Sequence, residues 1–271
     1  MSSPASTPVT AADTPFVRRT DADGVATLTF MRGERANPLS RPMIEALAAH
    51  LEAIAADPSV RAVIIGATGR AFCAGHDLRE LKAHRADPVW LQALFDECSA
   101  LMLAITRLPQ PVIAAVQGIA TAAGCQLVSM CDLAVASSEA RFALPGVNVG
   151  IFCTTPAVGV ARSILRKQVL EMLLTGEAID APTALARGLV NRVVAPDALE
   201  SEVSRLAAQI AGRSAALVAA GKRAFYRQVE LSLDDAYELA GAEMVSALAL
   251  DDAAEGIDAF LDKRTAQWRH G

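Results

Sequence analysis

Two stretches of small residues stand where the backbone, rather than side chains, could do chemistry. In Gln117–Asp132, QGIATAAGCQLVSMCD, the residues from Ala120 to Gly124 are all small, and Gln126, Leu127 and Met130 follow at helical spacing. In Gly69–Leu81, GRAFCAGHDLREL, the run Ala71–Gly75 turns the chain ahead of Asp77 and a polar helical start. A turn through small residues into a helix leaves unpaired N–H groups at the helix start. Missing side chains let a ligand carbonyl come up to them. Two such corners aimed at one point would donate two hydrogen bonds to one oxygen, as an enolate or a tetrahedral oxyanion needs, each donor being worth about 3 kcal/mol. Taken separately, each corner reads first as an ordinary strand-to-helix turn.

The side chains around these corners offer less. His76 lies in the first corner and titrates near neutral pH when solvated. It could act chemically, bond a ligand or cap a helix. Gln126 can orient water or a carbonyl but takes no proton near neutral pH. Asp77 reads as the cap of the helix after it, and Asn148, after Pro145-Gly146, as a turn-stabilising residue that could also reach the site. Cys125 and Cys153 lack basic neighbours and read as buried thiols. His50, His84 and His270 sit in polar contexts, and no cluster has metal-ligand spacing.

Positioning these corners requires strands before them and helices behind. Gly24–Phe30 alternates like a half-exposed strand, and VRAVIIGA (60–67) and VIAAV (112–116) read as buried strands. Asp132–Ser137 and Leu189–Val194 read as further strands. Helical spacing covers Met43–Ala56, Pro88–Leu108, two segments between Thr155 and Thr175, and Pro182–Arg187. From Pro196 to Trp268 the pattern is almost wholly helical, with breaks near Gly212, Leu233-Asp234 and Asp251. This order predicts a layered α/β core over 16–195 and a helical region over 196–271. The first 15 residues, rich in Pro, Ser and Thr, read as a flexible tail.

Composition narrows the function. A net charge of −5 argues against nucleic acid as main partner, since phosphate contacts need excess Lys and Arg. No apolar run approaches the roughly 20 residues that span a bilayer. Five cysteines without a CxxC pair suit a reducing compartment. With no export signal legible, the cytoplasm is the default expectation.

AFCAGHDL, followed by PVIAAVQGIATAAGCQL, CDLAVAS and the closing GIDAFLDKR, resembles the crotonase superfamily of enoyl-CoA hydratases and isomerases over about Gly24–Trp268. GIATAAGCQL and PGVNVGIFC are most similar to its enoyl-CoA hydratase domain-containing protein 3 branch. The resemblance implies a crotonase-like spiral of ββα units whose C-terminal helices assemble homotrimers or dimers of trimers. It implies an acyl-CoA thioester as ligand, with coenzyme A part of the substrate and no separate cofactor. The thioester oxygen would lie between the N–H groups of Ala74 and Ala123. Ala74-Gly75-His76-Asp77 would wrap the CoA, and Arg35 and Lys263, the latter placed in the last helix, match positions that meet CoA phosphates. The two glutamates by which hydratases activate water and protonate carbon align with Gln126 and Gly146, so both are missing. The superfamily's methylmalonyl-CoA decarboxylase also has a GHD segment, its histidine matching His76, while its tyrosine position falls on Cys153. Three readings stand: a hydratase/isomerase-like enzyme, a malonyl-type CoA decarboxylase, and an acyl-CoA-binding protein without catalysis.

Overall fold

A computed structural model describes residues 14–270 of the chain. The elements run β1 (Val17–Ala22), β2 (Val25–Phe30), α1 (Arg41–Ala55), β3 (Ala62–Ala67), β4 (Ala71–Cys73), α2 (Leu78–Ala83), α3 (Pro88–Arg107), β5 (Val112–Val116), β6 (Ile119–Thr121) and α4 (Ala123–Met130). They continue with β7 (Leu133–Ser137), β8 (Arg141–Ala143), α5 (Thr154–Ser163), α6 (Arg166–Thr175), β9 (Ile179–Asp180), α7 (Ala181–Arg187), β10 (Arg192–Val194), α8 (Leu199–Ala211), α9 (Ala215–Gln228), α10 (Leu233–Leu248) and α11 (Asp251–Leu261).

The strands divide between a large sheet, β1-β2-β3-β5-β7-β10, and a small one, β4-β6-β8-β9. Three successive units, opened by β3, β5 and β7, each send their first strand to the large sheet and their second to the small one before a helix follows. This is the ββα spiral. Within the large sheet every pairing after the β1–β2 hairpin is parallel. A parallel sheet covered on both faces needs strands apolar on both sides. On β3, Ala62 and Ile64 join Ile113, Val135 and the inner face of α8. Val63 and Ile65 point the other way, into the main core with α1 and α3.

One strand has no counterpart among the sequence expectations, and two of those expectations need correction. The stretch VRRTDA forms β1, paired with β2 across a two-residue turn in which Asp23 and Gly24 both have positive φ, 52° and 80°. The Asp-Gly pair is the signal for that hairpin. The boundary at 196 cuts through the core, because Leu199, Val203, Leu206 and Ala211 of α8 cover the large sheet. The tail expected over 1–15 falls mostly outside the described residues, and its last two are held. The Arg32 guanidinium donates to the Thr14 and Pro15 carbonyls at 2.8 and 3.0 Å.

The 20-residue α3 is long and apolar enough to cross a bilayer by length and composition alone, though Asp96 and Glu97 interrupt its apolar run. Its stripe Leu94, Cys98, Leu101, Met102 and Ile105 is instead buried in the core.

Candidate active site

The small-residue corners lie where the parallel ladder β4–β6 ends, with Cys73 opposite Ala120. Beyond that rung β4 turns into α2 and β6 turns into α4. Asp77 caps α2, its carboxylate accepting from the Arg79 N–H at 2.8 Å. The turn into α4 is strained. Ala122, its N-cap, has φ 49° and ψ −119°, a conformation that a residue with a Cβ adopts only at a cost of about 1–3 kcal/mol. Its own N–H donates to the Ala143 carbonyl at 2.9 Å. Ala123 opens the helix, so its N–H has no intrahelical partner.

The two corners touch through glycine. A Cβ built on Gly75 would stand 2.9 Å from the Ala122 Cβ and 3.2 Å from the Ala123 nitrogen, and Gly75 has φ +83°. One on Gly124 would stand 2.2 Å from the Cys73 carbonyl oxygen. Only residues without side chains allow this approach, and it sets the Ala123 amide beside the peptide that joins Gly75 to His76.

Ala74 is the residue that the structure corrects. Its N–H donates to the Ala36 carbonyl at 3.0 Å and is not free for a ligand. The amide of this corner that makes no hydrogen bond among the described residues is that of His76, two positions on. Sequence spacing could not choose between them, because the partner of Ala74 comes from a loop far away in the chain. That loop is pinned by Asn37, fully buried at φ 48°. The Asn37 side chain accepts from the Arg32 N–H at 2.9 Å and donates to the Thr68 and Ala71 carbonyls at 2.8 and 2.9 Å. Leu39 N–H then holds the Gly75 carbonyl at 2.8 Å. Gln117 braces the same region, donating toward the Ala67, Gly69 and Ala71 carbonyls. Sequence reading passed over both side chains, whose one signal was a polar amide in a loop flanking each corner.

His76 packs edge-on against Phe95, ring centroids 5.2 Å apart, and its Nε2 is buried without a partner. Burial pulls its pKa down to about 4, so near neutral pH the imidazole is uncharged and lacks the imidazolium proton that a general acid would give. Gln126, on the first turn of α4, is 4% exposed and its Oε1 is also buried without a partner. At Gly146 an added Cβ would meet the Ile151 carbonyl oxygen at 2.4 Å and the Cys153 Sγ at 2.9 Å. A longer side chain has no room there unless the backbone moves. All five cysteines are free and buried. Desolvation raises the Cys125 thiol to about 12, and Cys153 shifts upward too.

The outer residues fall into two groups. The Arg35 guanidinium comes within 4.0 Å of the Asp77 carboxylate beside the first corner. Asn148 is exposed, and its carboxamide lies against Gly176, where a Cβ would meet it at 2.8 Å. Lys263 is not in the last helix: α11 ends at Leu261, and Lys263 follows in an exposed left-handed conformation, φ 55°. Among the described residues no group of three or more His, Cys, Asp or Glu side chains could hold a metal. Two cavities of about 400 and 430 Å³ lie away from the corners, one beside Arg141 and Arg187 and one beside Arg61 and His270.

Residues 20–271 match the family model of enoyl-CoA hydratase/isomerase. A Xenopus laevis protein named enoyl-CoA hydratase domain-containing protein 3, mitochondrial, is 46% identical over 95% of this chain and 87% of its own length. The crystal structure of human enoyl-CoA hydratase domain-containing protein 3 superimposes with a TM-score of 0.91 at 43% identity, covering 93% of this chain and all of that one. The crystal structure of a Mycobacterium smegmatis enoyl-CoA hydratase also gives 0.91, at 50% identity and coverage of 94% and 99%. These relatives overturn the cytoplasmic expectation. The frog protein and its rat, human and zebrafish counterparts all carry "mitochondrial" in their names, and a leader that composition does not reveal places a chain nowhere.

Proposed function

Because the chain belongs to the enoyl-CoA hydratase/isomerase family, we propose that the two corners bind the thioester carbonyl of an acyl-CoA between the N–H groups of Ala123 and His76. The observation that carries this reading is the strained turn at Ala122. It sets the unpaired Ala123 amide beside Gly75, at a contact that leaves no room for a side chain there, and the unpaired His76 amide is the next one along the chain from Gly75. As charge moves onto the thioester oxygen, both donors strengthen their hold, which is how fixed amides lower the barrier to an enolate. Arg35 is suited to the anionic end of the CoA and Asp77 to shaping the loop beside it. Exposed Phe225, Tyr237, Val245 and Phe260 on α9–α11 support an assembly of copies, which the family resemblance makes a homotrimer or dimer of trimers.

Hydration by two carboxylates does not fit this residue set. Gln126 and Gly146 stand where that reaction needs a base and an acid, and His76, uncharged near neutral pH, supplies no acid in their place. The same gap favours a second reading, decarboxylation of a malonyl-type CoA. There the bond from Cα to the carboxylate breaks, its electrons form the enolate held by the two amides, carbon dioxide leaves, and solvent supplies the proton. No protein base is consumed. Calorimetry with butyryl-CoA and turnover of crotonyl-CoA and malonyl-CoA test the proposal together. We expect butyryl-CoA to bind, crotonyl-CoA absorbance to stay constant, and malonyl-CoA to release carbon dioxide if the chain is an enzyme. Failure of butyryl-CoA to bind sinks the thioester site. Fast hydration of crotonyl-CoA refutes the argument from the missing carboxylates.

A further inference from the structure

The separation of two amide donors decides whether they can share one oxygen. Corner one, residues 74–76, is held from one flank, by Ala36 and Leu39. Corner two is held from the opposite flank, where the Ala122 N–H donates to the Ala143 carbonyl of β8 at 2.9 Å. The ladder between β4 and β6 ends with Cys73 opposite Ala120, after a register irregularity between Ala71 and Cys73, so strand pairing holds the two corners at their base and does not reach His76 or Ala123. Above that last rung, among the described residues, one side-chain hydrogen bond crosses between them: the Thr121 hydroxyl donates to the Ala74 carbonyl at 3.0 Å.

We propose that Thr121 is a positioning residue, whose hydroxyl strap fixes the distance between the His76 and Ala123 amides and so the polarisation of the bound carbonyl. It stands two residues before Ala123 on one side, and its acceptor lies two residues before His76 on the other. The strap therefore joins the two donors through equally short lengths of chain. A small shift along this contact spoils both donors, because hydrogen bonds weaken steeply once they leave their preferred distance and angle. The glycine contacts at Gly75 and Gly124 limit how close the corners come. The strap limits how far apart they drift. This role rests on the thioester reading of the site.

The test is the infrared carbonyl stretch of butyryl-CoA, labelled with carbon-13 at the thioester, bound to the full chain and to Thr121→Val and Thr121→Ser. The wild type is expected to lower the stretch on binding. Thr121→Val is expected to bind about fivefold more weakly, as loss of one neutral hydrogen bond implies, to lose most of the frequency shift, and to melt at the wild-type temperature. Thr121→Ser, which keeps the hydroxyl, is expected to restore the shift. An unchanged shift in Thr121→Val overturns the strap while leaving the thioester site standing. So does a Thr121→Ser protein that folds and binds without recovering the shift. If the valine variant does not fold, the serine variant decides by itself. Absence of butyryl-CoA binding by the wild type overturns the thioester site, and the role of Thr121 with it.

Discussion

His76 carries two roles that pull on different atoms. Its amide faces the proposed oxyanion position, while its ring is turned inward onto Phe95 with Nε2 unpaired. Folding lowers the ring's pKa from 6.5 to about 4 because the charged form loses its water. Between those values the unfolded chain binds more protons than the folded one, so stability falls as pH drops from 6.5 toward 4 and is flat above. The loss attributable to this residue is at most about 3 kcal/mol. Urea midpoints of the wild type and of His76→Phe at pH 7 and pH 5 check it: the difference between the proteins should move by about 2 kcal/mol, since the loss is not complete at pH 5. A constant difference would mean that the ring stays hydrated. At this scale the sequence was partly legible. Ala123 and the small-residue corners could be read directly. Ala74 was misplaced by two positions, since nothing local reveals that Ala36, from a separate loop, takes its N–H.

At the scale of elements, helix α9 is fastened to the sheet by a buried ion pair rather than by its apolar face. Lys222 donates to the Asp132 carboxylate at 2.6 Å and to the Ile105 and Gln110 carbonyls at 3.0 Å each. Asp132 also accepts from the Val112 N–H and the Tyr226 hydroxyl. Burial pushes Asp132 up and Lys222 down, so desolvation outweighs their attraction, and the value of the cluster lies in every polar atom having a partner. Lys222→Met should destabilise the chain by about 3–5 kcal/mol, because it leaves a carboxylate buried without its cation. Chemical denaturation measures this, and a change below about 1 kcal/mol would show that water enters the gap. The long elements were legible because each spans enough turns or alternations to show a period. Strands β4, β6 and β8 were not. They have three residues each, too few for a pattern, and they pair with partners 20 or more residues away.

The C-terminal helices leave large apolar side chains open to solvent. Phe260 is 82% exposed, Tyr237 73% and Val245 72%, all on the last two helices, and contiguous surface of that kind marks a place for protein to cover. Sedimentation should therefore give a mass well above the 28.4 kDa of one chain, and Phe260→Asp should shift the distribution toward it. A wild-type protein that sediments as a single chain would remove the proposed assembly. The helical character of this region was readable from periodicity. Its division was not, since α8 and the later helices look alike in sequence and differ only in whether the large sheet lies beneath them.

The thiols give the molecule a property unrelated to its ligand. Five free cysteines are spread through the interior, on strands, in helices and beside Gln126, and burial raises Cys73, Cys98 and Cys125 to about 11 or 12. A reagent that attacks thiolates meets almost none on the closed protein. Alkylation therefore proceeds only through transient opening, and each cysteine acts as a clock for the part of the fold that hides it. Cys125 keeps the time of the helix that begins at Ala123.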